Sequence, residues 1–138
     1  MATIEHTKEW LNRSFDLYKQ LKRLEKRLKK MTFANVSNYE QGFSSRTENS
    51  TESKMIEFAD LSDKIEKMKA RLNKEDSVTE KVIDQVQTPV YWSILKDHYI
   101  YRYGWDTIAK SYCYSRRHVL RIHGRALQEV ARYVPDED

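Results

Sequence analysis

The sequence predicts an all-α protein in which an N-terminal helical hairpin or coiled coil precedes a C-terminal helix-turn-helix domain. Its 138 residues include only three glycines and two prolines, which disfavours β-sandwiches, glycine-rich phosphate loops and dinucleotide folds. Two segments carry leucine-rich heptad seams. A third segment combines helical apolar spacing with cap residues at matching positions. Together these three observations predict the fold class.

The composition predicts the cellular compartment and argues against a membrane partner. Apolar residues make up 39% of the chain, and its mean hydropathy is −0.85. No run of about 18 uncharged apolar residues occurs, so we expect no membrane partner. The N-terminus lacks the apolar core of a secretory signal. The single cysteine, Cys113, excludes an internal disulfide and a cysteine-based zinc finger. We therefore expect a protein of the reducing cytoplasm.

Residues 1–31 are predicted to form the first heptad helix. Its seam advances by steps of four, three, four and three residues and comprises Leu17, Leu21, Leu24, Leu28 and Met31. Trp10 extends this seam backwards by seven positions. A basic run from Lys22 to Lys30 flanks the seam. Two explanations fit the run: cations complement the dipole at a helix C-terminus, or they contact a phosphate backbone.

Residues 32–50 lose the heptad period and are predicted to form a flexible polar loop. Ser and Asn dominate this stretch, and Gly42 lies near its centre. A loop of about twenty residues is unusual inside a compact domain.

Residues 51–87 are predicted to form the second heptad helix. Its seam comprises Phe58, Leu61, Ile65, Met68 and Leu72. The polar stretch 73–77 lacks apolar positions, and Ser77 and Glu80 have the spacing of a capping box. One long helix and two shorter helices are therefore both compatible with the sequence. The two seams predict an antiparallel hairpin, and the alternative is that each seam pairs with another chain.

Residues 88–134 are predicted to form the helix-turn-helix domain. Thr88 followed by Pro89 is a helix start signal. The helix 88–101 is expected to place Trp92, Leu95 and Tyr99 on one inner face.

Two further helices with a short turn are predicted within residues 104–127. Gly104 caps the first helix and Ser115 caps the second. The inward positions are Trp105, Ile108, Ala109 and Tyr112, then Val119, Ile122 and Ala126. Because Ala109 is small, the two helix backbones can approach closely. This spacing is typical of a helix-turn-helix unit.

Cys113 occupies the turn, at a position that tends to need a positive φ and usually holds glycine. A side chain in that conformation costs about 1–2 kcal/mol. We interpret Cys113 as a small buried turn residue. A redox switch or a nucleophile is disfavoured because no histidine adjoins it in sequence and no partner cysteine exists.

The outward face of the second helix is cationic. Residues 115–132 contain five arginines against one acidic residue, Glu129. The face comprises Arg116, Arg117, Leu120, Arg121 and Arg125, with His118 alongside. Its N-terminal end is the part that enters the major groove in a docked helix-turn-helix, where a guanidinium can bond guanine O6 and N7 together. We therefore predict double-stranded DNA as partner, with Lys110, Arg125 and Arg102 holding phosphates.

No pattern of catalytic or metal-binding residues is found, so we predict neither an enzyme nor a cofactor. His6, His98 and His118 lack metal-ligand spacing, and His123 is interpreted as a packed histidine. A nucleophile elbow, a paired-carboxylate motif and a glycine-rich phosphate cradle are all missing from the sequence.

Residues 87–130 resemble a known family. The matching features are the proline-started helix, the run Arg102, Tyr103, Trp105, Ile108 and Ala109, the Ser115 cap, and the segment from Arg117 to Leu127. They resemble region 4 of bacterial sigma factors and, more closely, the sigma-like C-terminal domain of phage RinA/ArpU-type late transcriptional regulators. The N-terminal half is similar to that family only in layout.

This resemblance implies a phage-encoded or prophage-encoded regulator that acts in the bacterial host cytoplasm, binds promoter DNA and activates late genes. It implies DNA contacts at Ser115, Arg116, Arg117, Leu120 and Arg121, and by analogy a contact with bacterial RNA polymerase. We further expect a homodimer, in which the heptads bring two copies over half-sites about one helical turn apart. The alternatives are a phage small terminase subunit, which packages DNA, and a helical protein-interaction module.

Overall fold

The protein is all-α, as the sequence predicts. The structure, a computed structural model, describes the backbone of residues 2–40 and 48–136, and the side chains of residues 2–31 and 52–136. Its elements are, in order, α1 (Ile4–Asn12), α2 (Phe15–Glu40), α3 (Glu48–Ile83), α4 (Pro89–Leu95), a π-helical segment (Lys96–Ile100), α5 (Trp105–Tyr112) and α6 (Arg116–Val130). The chain divides into two compact units: unit 1, Met1–Ser14 with Lys74–Asp138, and unit 2, Phe15–Asn73.

Unit 2 has a core built from the two heptad seams. Leu21 of α2 is buried in one cluster with Leu61, Ile65 and Leu72 of α3. Arg27 and Glu57 form an exposed ion pair between the same helices at 3.4 Å. Because the seams pack against each other within one chain, they do not offer a second copy the surface that the predicted homodimer was to use.

The bounds of these two helices correct the predicted loop. α2 continues to Glu40 and α3 begins at Glu48. The prediction of a loop is therefore wrong for residues 32–40 and 48–50, and residues 41–47 lie outside the described part of the chain. Ser and Asn lower helix propensity by only about half a kcal/mol each, so polarity alone does not end a helix. For the same reason α3 runs unbroken across 73–77.

The first predicted helix is in fact two helices, separated at Arg13 and Ser14. The Arg13 guanidinium donates to the Trp10 carbonyl at 2.9 Å and stacks on the Trp10 ring at 3.9 Å. The Ser14 hydroxyl donates to Asp76 at 3.1 Å. Trp10 packs against the core of unit 1, so the prediction that it extends the α2 seam is wrong.

Unit 1 contains two apolar clusters. The first joins α1, the end of α3, α4 and α6, and includes Leu11, Ile83, Leu95 and Leu127. The second joins α4 to α5 and α6, and its buried members are Ile94, Ile108, Ala109, Val119 and Ile122. The second cluster therefore lies directly behind the predicted DNA-reading surface.

α4 begins at Pro89 with Thr88 as its N-cap, as predicted. Leu95 and Tyr99 are buried as expected, but Trp92 is exposed, so its predicted inner position is wrong. The Trp92 indole N–H instead donates to Asp84 at 2.8 Å, a carboxylate that also accepts from buried Lys96 at 3.3 Å. This polar contact holds the indole at the surface of the unit.

Candidate nucleic-acid interface

A tight turn at Cys113 and Tyr114 joins α5 to α6. Cys113 has φ 57° and ψ 36°, the left-handed conformation expected of this position. Its N–H donates to the Lys110 carbonyl at 3.2 Å, and the Tyr114 N–H donates to the Ala109 carbonyl at 2.9 Å. These two bonds form a Schellman motif, which closes α5. Cys113 is exposed, so the prediction of a buried residue is wrong, because the turn itself lies at the surface.

Both predicted caps are confirmed. Gly104 is the N-cap of α5 in an extended conformation. Ser115 is the N-cap of α6, and its hydroxyl accepts a hydrogen bond from the His118 backbone N–H at 3.1 Å. This bond satisfies one of the unpaired donors of the first turn and fixes where α6 begins.

The inner faces of α5 and α6 are packed as the spacing predicts. Ile108 and Ala109 of α5 are buried in one cluster with Val119 and Ile122 of α6. Val119 has no measurable exposure. The first half of α6 is thus held against α5 along one side, which leaves its opposite side to solvent.

The side chains on the opposite side of α6 are all exposed. They are Arg116, Arg117, His118, Leu120, Arg121 and Arg125, with Ser115 at the cap. Leu120 is 40% exposed, although it is apolar and stands among arginines. The first turn contains no acidic residue, so the positive end of the helix dipole adds to the arginine charge. The surface therefore combines cationic and apolar groups on one rigid element.

Two neighbours of this surface were not found from the sequence. Asp106 of α5 forms an exposed ion pair with Arg116 at 3.5 Å, so it restrains that guanidinium weakly. Tyr114 packs edge-on against His118, with ring centroids 4.7 Å apart. The Asp106–Arg116 contact crosses the turn and depends on how α5 and α6 pack together, whereas the Tyr114–His118 contact joins a turn residue to the first turn of α6.

The predicted phosphate contacts divide into two groups. Lys110 on α5 and Arg125 on α6 are exposed, as a phosphate contact requires. Arg102 is not available for this role, so that prediction is wrong. Only 10% of its side chain is exposed, and its guanidinium donates to Asp76 and to the Ile100 carbonyl, each at 2.8 Å.

A cluster of aromatic and imidazole rings supports α6 from behind. The Tyr99 hydroxyl and His123 Nε2 are hydrogen-bonded at 2.7 Å, and His98 stacks on Trp105 with centroids 3.8 Å apart. Burial, with smaller effects from the charges of His98 and Lys8, lowers the pKa of His123 to about 4. Burial also lowers the pKa of His98. His123 is therefore a packed, neutral histidine, as predicted.

Comparisons with known protein families, with curated proteins and with solved structures found no match. Among the described residues, no group of three or more His, Cys, Asp or Glu side chains is arranged to hold a metal ion. Within the same residues, no helix has the length and the apolar character needed to cross a bilayer.

Proposed function

We propose that the chain is a sequence-specific transcriptional regulator that binds double-stranded DNA through the first half of α6, and that it is a late-gene activator of the phage RinA/ArpU type. One observation carries the proposal. Val119 and Ile122 fix one side of α6 in the core, while the opposite side presents arginines and an exposed leucine. A cationic helix held this way suits insertion into a major groove.

The reading positions follow from helix geometry. Arg117 and Arg121 are one turn apart, and residues four apart are neighbours on a helix surface. Each guanidinium can bond O6 and N7 of a guanine, and Leu120 offers apolar surface to a thymine methyl group. Arg116 lies one turn before Leu120 and extends the surface towards the helix N-terminus.

The remaining exposed groups serve as phosphate contacts in this proposal. Ser115 and the first-turn N–H groups of α6 lie at the positive end of the helix, where anions are stabilised. Lys110, His118 and Arg125 flank the reading positions. Such contacts orient a protein on the duplex and contribute affinity without sequence information.

The partners and the compartment belong to the same proposal. We place the protein in the cytoplasm of a bacterial host, in contact with RNA polymerase, and bound to DNA as a pair of copies. Because the heptad seams pack within one chain, the second copy would bind through another surface. A two-fold symmetric footprint would report such a pair.

The test is selection of bound duplexes from a random pool, followed by footprinting of the selected site. The wild-type chain should yield a defined motif. Arg117→Ala should bind that motif about 5- to 150-fold more weakly, equivalent to about 1–3 kcal/mol, and should lose preference at one base pair. Arg132→Ala is the matched control, since Arg132 is an exposed arginine after the end of α6, and it should leave the motif unchanged.

Other results would replace this proposal. An unchanged base preference in the Arg117 variant would remove that residue from the reading surface. A closed ring of many copies in a mass measurement would favour DNA packaging. Failure to bind any duplex at low salt would favour a protein-interaction module, because phosphate contacts are strongest there.

A further inference from the structure

The outer side of α2 in unit 2 carries a row of cations that the proposed function does not use. Six exposed side chains lie opposite the buried seam: Lys19, Lys22, Arg23, Lys26, Lys29 and Lys30. At 1.5 Å per residue they cover about 17 Å of helix. We name this set the α2 cationic face.

The helix dipole does not account for the number of cations on this face. Lys30 would complement the helix dipole if α2 ended near Met31. However, α2 continues to Glu40, and its last turn contains no basic residue. The dipole effect is confined to about the last turn of a helix, so the α2 cationic face lies outside its reach.

The partner helix in the same unit balances its charges, and α2 does not. Residues 52–72 of α3 contain five basic and five acidic side chains, whereas residues 15–31 of α2 contain seven basic and two acidic ones. On α3, Lys67 pairs with Asp63 at 3.1 Å and Lys69 with Glu66 at 3.8 Å.

Among the residues of the α2 cationic face, an ion pair with a described carboxylate is formed by Lys22. Lys22 lies 3.7 Å from Glu25. Arg23, Lys26 and Lys30 form no ion pair with any residue that the structure describes. These cations, three and four residues apart on one side of a rigid helix, make a linear patch of positive charge.

We infer that the α2 cationic face is a second nucleic-acid contact, which binds the phosphate backbone of a duplex without reading its bases. The inference rests on the proposed function, because it adds a nonspecific contact to a DNA-binding chain. A duplex carries about one negative charge per 1.7 Å of its axis, so a 17 Å row of cations meets several phosphates.

A membrane surface suits this face less well. Amphipathic helices that bind a bilayer insert an apolar side. Leu17, Leu21, Leu24 and Leu28 of α2 all pack in the core of unit 2, and the exposed apolar residue on this side is Phe15 at the first position of the helix. Binding by this face is therefore expected to be electrostatic.

The test uses the full chain with Arg23→Gln, Lys26→Gln and Lys30→Gln combined, and a random-sequence duplex as the probe. Glutamine keeps helix propensity. We expect the slope of log affinity against log salt to become shallower by about 3, since each phosphate contact contributes about one. Affinity should fall at least roughly tenfold at 0.1 M salt. The base preference found by selection should not change.

The matched control is Lys64→Gln, Lys67→Gln and Lys69→Gln on α3, which removes the same charge from the same unit. Its salt slope should change by less than about 1. Equal slopes for the two triple variants would overturn the inference, and so would an unchanged slope in the α2 variant. Circular dichroism checks helix content. If the α2 triple variant is misfolded, Lys26→Gln alone should lower the slope by about 1, and no change would again overturn the inference.

The experiment separates this inference from the proposed function. If the wild-type chain shows no base preference but the α2 variant still loses affinity for any duplex, the α6 proposal fails and the α2 inference stands. If vesicles containing phosphatidylserine bind the wild-type chain more tightly than the duplex does, and the α2 variant loses that binding, the partner is a membrane and the inference is wrong.

Discussion

The Arg102 guanidinium and the Asp76 carboxylate form an ion pair at 2.8 Å, with only 10% and 18% of the two side chains exposed. Arg102 has φ 60°, a left-handed conformation that is strained for a residue with a side chain. The same carboxylate accepts from the Ser14 hydroxyl at 3.1 Å. Asp76 thus ties the strained segment before α5 to α3 and to the end of α1.

Removing this carboxylate should destabilise unit 1. Asp76→Ala removes the carboxylate from a guanidinium that is only 10% exposed, which costs about 2–3 kcal/mol in free energy of unfolding. Chemical denaturation measures the loss. Asp106→Ala is the control, because the Arg116–Asp106 pair is exposed and exposed pairs contribute less than about 1 kcal/mol. Equal losses in the two variants would contradict the structural role given to Asp76.

The stability of unit 1 should fall as the pH is lowered below 6.5. The pKa of His123 is about 4 in the folded protein, chiefly because of burial, against 6.5 when unfolded. Between pH 6.5 and 4, His123 is protonated in the unfolded chain but neutral in the folded chain. The stability present above pH 6.5 is therefore lost as the pH approaches 4. The loss from His123 is about 1.5 kcal/mol between pH 6.5 and 5, and His98, whose pKa burial also lowers, adds to it.

His123→Gln isolates this effect in the same denaturation series. Glutamine accepts a hydrogen bond from the Tyr99 hydroxyl but does not titrate. The variant should therefore be less stable than the wild type at pH 7.5, because ring packing is lost, and should show a flatter pH dependence between 6.5 and 5. A pH dependence identical to that of the wild type would show that His123 does not titrate in this range.

The parts of unit 1 that were predicted correctly are those fixed by neighbours in sequence. The Ser115 hydroxyl bonds the N–H three residues later, and the left-handed Cys113 is closed by bonds to Lys110 and Ala109. The inward positions of α5 and α6 repeat at helical steps. Because each of these signals spans a few residues, the sequence is sufficient to locate the turn and the exposed arginines.

Several of the errors arise where contacts between separate elements determine the conformation. The separation of α1 from α2 involves Ser14 and its bond to Asp76, 62 residues away. Arg102 is held against the same carboxylate, 26 residues away, and a lone arginine in a sequence gives no sign of such a partner. Trp92 is held outside by Asp84. Pairings of this kind depend on the tertiary structure, which local patterns do not contain.

Replacing the turn cysteine by glycine should stabilise the protein. Cys113 is in the left-handed region at φ 57°, where a Cβ atom costs about 1–2 kcal/mol and glycine is not penalised. After the entropy of the unfolded glycine is included, Cys113→Gly should raise the free energy of unfolding by about 1 kcal/mol. Cys113→Ala keeps the Cβ atom and should give no gain. An increase in the free energy of unfolding in both variants would show that the thiol, and not the left-handed backbone, is the source of the destabilisation.

Leu120→Ala should weaken and alter DNA binding without affecting the fold. Leu120 is exposed, so its truncation should change the free energy of unfolding by less than about 0.5 kcal/mol. If its side chain contacts a thymine methyl group, binding to the selected motif should fall about fivefold, with lost preference at one A·T pair. Val78→Ala, an exposed apolar truncation in α3, should leave both properties unchanged. An unaltered motif in the Leu120 variant would limit the reading positions to the arginines.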